Sequence, residues 1–141
     1  VDVPDFWGAF LREGHTVLDG QTIDLDGLRF GFVGGGLISP MRTPYELDEE
    51  TYAAHVDALG PVDVLCSHIP PAVPELLYDT VARRFEHGSS ALTRYIQEVQ
   101  PRYSVFRHVH QPLVQRMRIG QTECVNVGHF RGGARPFSLS W

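Results

Sequence analysis

The sequence has no run of lysine or arginine. Twelve basic residues face 17 acidic ones, leaving a net charge of −5 with histidine neutral. Non-specific affinity for nucleic acid is mostly phosphate neutralisation, so extended binding to DNA or RNA is not expected. Long apolar runs are missing too: stretches such as Val62–Cys66 and Gly31–Ile38 are far too short to cross a bilayer. The chain opens Val1-Asp2-Val3-Pro4-Asp5, without the basic start of a signal peptide. It begins on valine rather than methionine, which suggests that residues upstream have been lost, cleaved or left out. There are only two cysteines, Cys66 and Cys124, each within an apolar strand-like run. They read as buried thiols of a reducing cytoplasm rather than as a disulfide.

What is present fits one globular unit. Apolar residues make up 43% and charged residues 21% of 141, the balance of a folded domain rather than a disordered chain. A chain of about 150 residues buries roughly 68–70% of its unfolded surface, enough for a real core. No repeat, linker or low-complexity segment divides it, and we read 1–141 as a single unit.

Pro4, an apolar set and Gly14 predict a short helix over 4–13. Strands over 15–25 and 28–34 follow, joined by the hairpin pair Asp26-Gly27. Gly34 to Pro44 reads as a loop, and Asp48 as the cap of a helix that stops at Gly60-Pro61. Val62–Cys66 is the clearest buried strand, running into Ser67-His68-Ile69-Pro70-Pro71, where two prolines halt both helix and sheet. Helical turns are expected within 75–85, then a helix capped by Ser89 or Ser90 and closed by Pro101. Strands at 103–106, 113–118, 122–127 and near 136–140 complete an α/β layered domain.

Seven histidines invite a chemical reading. In an extended segment, His108 and His110 would share one face, and neutral imidazole suits Zn, Mn or Fe. Alone, H-x-H is a weak motif that two surface histidines at a strand end would also produce. His68 strengthens it, because it too follows a buried strand, where ligands of open α/β sheets gather. Its bland alternative is a cap on loop backbone. His15, His55 and His87 read as solvated or packing residues, and His129 as intermediate in its glycine-rich loop.

The stretch Asp63-Val64-Leu65-Cys66-Ser67-His68-Ile69-Pro70-Pro71 resembles the DVLLTHxPP segment of calcineurin-like metallophosphoesterases. Pro101 to His110 resembles their Px(Y/H)xVFGHxH segment, Asn126-Val127-Gly128 the following NxG strand, and Gly88-Ser89 with Leu92 their GSxxL helix start. The resemblance runs from about residue 15 to 130. It implies the C-terminal part of a four-layer α/β/β/α sandwich with a dinuclear site of two divalent metal ions, Mn, Fe or Zn. His68 and His108 would bind one metal and His110 the other. The remaining ligands, from DxH, GDxxD and GN-type segments, lie upstream in the family; Val1-Asp2 could be the tail of a GNVD version. Val1 would then stand where many members have a general-acid histidine, which favours a phosphodiesterase-like subgroup. Arg107 departs from the pattern, because the family has glycine before H-x-H. An arginine there would crowd a cationic site or reach a substrate phosphate.

The function so implied is metal-dependent hydrolysis of a small phosphate mono- or diester in the cytoplasm, by a protein of which these 141 residues alone would be inactive. The alternative is a non-catalytic docking scaffold on the same fold, favoured by Arg107 and the missing upstream ligands. A cupin-type jelly roll is rejected, since residues 111–120 hold no acid after H-x-H. Without the other half, the chain would expose apolar sheet surface and a strand edge, and would self-associate.

Overall fold

The computed structural model describes residues 20–39, 44, 46–128 and 138–141. The helix expected over 4–13, together with Val1-Asp2, His15 and His129, lies outside them. Asp26 and Gly27 take φ of 48° and 85°, the left-handed pair that turns β1 (Thr22–Leu25) antiparallel onto β2 (Leu28–Val33). The segment read as a loop after Gly34 holds β3 (Gly36–Leu37), which pairs in parallel with β4 (Glu46–Leu47). Helix α1 (Glu49–Ala58) starts where the Asp48 carboxylate accepts the Thr51 N–H at 2.7 Å, and its end is followed by Gly60 at φ 64°.

Strand β5 (Val64–Ser67) leads to α2 (Pro74–Leu77), a single turn. The helical turns expected within 75–85 stop there. The rest is a small hairpin, β6 (Tyr78–Asp79) with β7 (Arg84–Phe85), turned at Arg83 with φ 55°. Helix α3 (Ser90–Val99) is capped by the Ser89 hydroxyl, which accepts the Leu92 N–H at 3.1 Å, and ends at left-handed Gln100, φ 53°. Strands β8 (Tyr103–Phe106), β9 (Arg116–Ile119) and β10 (Thr122–Asn126) follow. The strand expected near 136–140 is absent where residues are described, since 138–141 carry no regular structure.

Six strands form one mixed sheet in the order β1-β2-β5-β8-β10-β9. β2, β5, β8 and β10 run parallel, and the outer strands β1 and β9 run antiparallel to them. Register sets Leu65, Ser104 and Cys124 side by side on the face covered by the helices. There Leu65 and Cys124 join Tyr52 and Val56 of α1 and Leu92 and Ile96 of α3 in one core. Each such side chain contributes about 1.5–3 kcal/mol by burial. Both crossovers place their helices on this face, as right-handed connections between successive parallel strands require. Arg94 and Asp57 bridge α3 to α1 at 3.0 Å.

The opposite face is also covered at its centre, where Val64 and Val125 are fully buried and Phe30 meets the Trp141 ring at 5.5 Å. Phe32, Cys66, Tyr103 and Val105 on the same face are only half-buried, so this side of the sheet is covered in part. The architecture is α/β with a mixed central sheet, and no helix among the described residues is long and apolar enough to cross a membrane.

Candidate functional site

Because β5 and β8 are parallel neighbours, the loops leaving their carboxyl ends start side by side. The Arg107 N–H donates to the His68 carbonyl at 3.1 Å, tying one loop to the other. The imidazoles of His68 and His108 stand edge to face with ring centroids 5.2 Å apart. The loop after His68 is pinned by its prolines, for the Ser89 N–H donates to the Pro70 carbonyl at 2.9 Å. Gly88 is required there, since a Cβ would come within 3.1 Å of the Pro70 and Pro71 carbonyls and collide with the Leu77 side chain.

The H-x-H segment is a turn, not the extended strand its sequence suggested. His108 takes φ 72° and the Val109 N–H closes back on the Arg107 carbonyl at 2.9 Å, a tight three-residue turn. Left-handed backbone at a residue with a Cβ costs about 1–3 kcal/mol and persists where the surroundings enforce it. The positive φ falls on His108, and Arg107 before it takes none. Val109 is buried between the two histidines, and buried Asn126 holds it by donating from Nδ2 to the Val109 carbonyl at 2.9 Å. His110 follows on the exposed side.

The electrostatics favour neutral rings. Partial burial, reinforced by His108, Arg107 and His110, pushes the pKa of His68 down to about 4, although its outer side remains open to solvent. Partial burial also lowers His108, with Glu86 opposing and His110, His87 and Arg107 adding to the shift. Two adjacent neutral imidazoles present lone pairs that a metal ion could take. Among the described residues, no three His, Cys, Asp or Glu side chains are gathered closely enough to hold a metal as a group. His68 and His108 are the adjacent pair. His55 is exposed on α1, and His87 is exposed ahead of Ser89.

Asp79 escaped the sequence reading. Its buried carboxylate accepts the N–H groups of Val81 and Ala82 at 2.9 Å and that of Gln111 at 3.3 Å. Those of Ala82 first, then Val81 and Gln111, hold its pKa below the ordinary carboxylate value against burial, with His110 adding to them. The only trace in the sequence was a lone acid in an otherwise apolar stretch, Leu76-Leu77-Tyr78-Asp79.

A solved crystal structure superposes on 93% of this chain with a TM-score of 0.65 at 20% identity. The crystal structure of TT1561 of Thermus thermophilus does so over 90%, with a TM-score of 0.58 at 16% identity. The chain spans 53% and 59% of these two chains, little more than half their length. At such identities the likeness establishes a shared fold and nothing finer. No family model and no curated protein matches the sequence.

Proposed function

We propose that this chain supplies the histidine side of a dinuclear metal site in a hydrolase of phosphate mono- or diesters, built on a four-layer α/β/β/α sandwich. The observation that carries the reading is the His68–His108 pair, with ring centroids 5.2 Å apart in the loops that leave neighbouring parallel strands, and with His108 held in a left-handed turn. Backbone held in so sparsely populated a region gathers at sites of chemistry more than on idle surface. His68 and His108 would hold one ion and His110 the second, and all-nitrogen donors suit Mn, Fe or Zn better than Mg. Carboxylate ligands to bridge the ions would come from outside the described residues. When bound, the pair of ions would activate a water and neutralise charge on the phosphoryl oxygens. The protein's own part is to keep His68 and His108 neutral, and to hold the exposed Arg107 beside them, where a phosphate could be met.

A second reading, a docking scaffold on the same fold, draws on the lack of a gathered three-ligand group among the described residues. One experiment separates the two. In the full-length protein, His108→Ala and His110→Ala should each reduce Mn- or Zn-dependent hydrolysis of bis-(p-nitrophenyl) phosphate by more than about 100-fold and lower bound metal. His55→Ala should change neither. A protein that binds no metal and turns over no ester before mutation supports the scaffold.

A further inference from the structure

We propose that β7 is a self-association edge, through which two copies of the full-length protein pair antiparallel about a twofold axis at Phe85; no metal is required for it. The β6–β7 hairpin stands outside the main sheet. On one side it is held by residues 111–113, which act as a third strand. The Thr80 N–H donates to the Gln111 carbonyl and the Leu113 N–H to the Tyr78 carbonyl, each at 2.9 Å, and Pro112 bridges to Asp79 in antiparallel register. On the other side, among the described residues, no strand pairs with β7. The Glu86 N–H donates to the Leu77 carbonyl at 2.9 Å, just beyond the Tyr78–Phe85 pair. By the alternation of antiparallel pairs, the N–H and C=O of Phe85 then point away from β6, toward the open edge. A second β7 centred on Phe85 would meet both groups with its own.

The side chains on both faces suit that partner. Leu113, Tyr78 and Phe85 lie in one row across the three strands, with the Tyr78 and Phe85 rings edge to face at 5.1 Å. Phe85 is nevertheless 62% exposed and Leu113 59%, an apolar row left in water by a single copy. On the other face Arg84 and Glu86 flank Phe85 and pair with each other at 2.8 Å. In a twofold pairing centred on Phe85, Arg84 of each copy falls opposite Glu86 of the other, and the two Phe85 rings meet. Charges of one sign on an edge strand would repel a second copy. An arginine and a glutamate placed symmetrically about an aromatic residue attract one instead. They also choose the register, because a parallel pairing in register would set Arg84 on Arg84.

The test is sedimentation equilibrium of the full-length protein. The wild type should dimerise with a Kd below about 100 μM. Arg84→Glu and Glu86→Arg should each weaken the dimer at least about 10-fold, because like charges then face each other twice across the axis. An equimolar mixture of the two single variants should dimerise at least as tightly as the wild type, since an acidic edge then meets a basic one. A wild type that stays monomeric at about 100 μM overturns the proposal. So does a dimer that neither variant weakens, or a mixture no tighter than the variants alone. Should either single variant fail to fold, the double variant Arg84→Glu/Glu86→Arg decides. Its charges are exchanged in place, so it should dimerise with itself like the wild type and at least about 10-fold more weakly with the wild type. Equal affinity for both overturns the proposal.

Discussion

The two ends of β5 are built on opposite principles. At the amino end, Asp63 stitches three strands together: it exchanges backbone bonds with Arg29, Arg102 and Tyr103, and its carboxylate accepts the Arg29 N–H at 2.7 Å. Nearby, Asp24 pairs with Arg29, and the Gln100 side chain donates to the Ile96 carbonyl and accepts from the Gln121 N–H. At the carboxyl end, His68, His108, His110 and Arg107 gather with Glu86 opposing them, His108 is twisted out of the common backbone regions, and His68 keeps an open side. An open cleft of about 410 Å³ lies at the amino end, lined by Asp24, Arg29, Asp63 and Gln100, yet its charged groups already have partners. Volume alone does not mark a site. Enforced backbone geometry and a pair of facing imidazoles do, and both lie at the other end.

That contrast can be broken by exchanging the expected effects. The largest should follow Gly120→Ala, at the β9–β10 turn of the amino end. Gly120 has φ 60°, and a Cβ would run into the Gln100 amide. A loss of about 1–3 kcal/mol in urea unfolding is expected, with ester hydrolysis per folded molecule unchanged. A loss of specific activity would mean that the two ends are coupled.

The carboxyl end should instead announce itself through pH. In metal-free protein, His68 ionises near 4 when folded and near 6.5 when unfolded, so the unfolded chain binds the extra proton between those values. Stability should be full above about 6.5 and decline as the pH falls toward 4, with solvent at the open side of His68 moderating the slope. In His68→Gln the decline should flatten, as followed by melting temperature against pH. An equal slope in both proteins would remove His68 as its source.

The smallest effect lies midway between the ends. Ser104 is fully buried between Leu65 and Cys124, and its hydroxyl has no hydrogen-bond partner. Ser104→Ala should therefore raise stability by about 1 kcal/mol, measured by denaturant midpoint, and leave both ends as they were.

The parts legible in the sequence were those whose cause is local. Asp26-Gly27 announced its hairpin, Asp48 and Ser89 their helices, and Val64 and Leu65 a buried strand, because each rests on a dihedral preference, a cap or an unbroken apolar run. The same logic brought His68 and His108 under suspicion together. What stayed hidden depends on distant partners. Tyr78–Asp79 and Arg84–Phe85 are too short to show a period, and the hairpin closes through Asp79 and borrows residues 111–113 as a third strand. The left-handed residue at His108 had no local signal, because the bonds that enforce it come from His68 and Asn126.

The parallel pairing of β5 with β8 also sets when the histidine pair can exist. The β1–β2 and β9–β10 hairpins close over two-residue turns and can form early, as can α3. Val64 meets Tyr103 only after α2, the small hairpin and α3 have been laid down between them, and closing a loop of that length is the slow, entropically costly event of such a topology. The rings of His68 and His108 come within 5.2 Å of each other only once that closure is complete. Metal that requires both would therefore be captured late, by chains that have already folded, and would leave collapsed intermediates unrewarded.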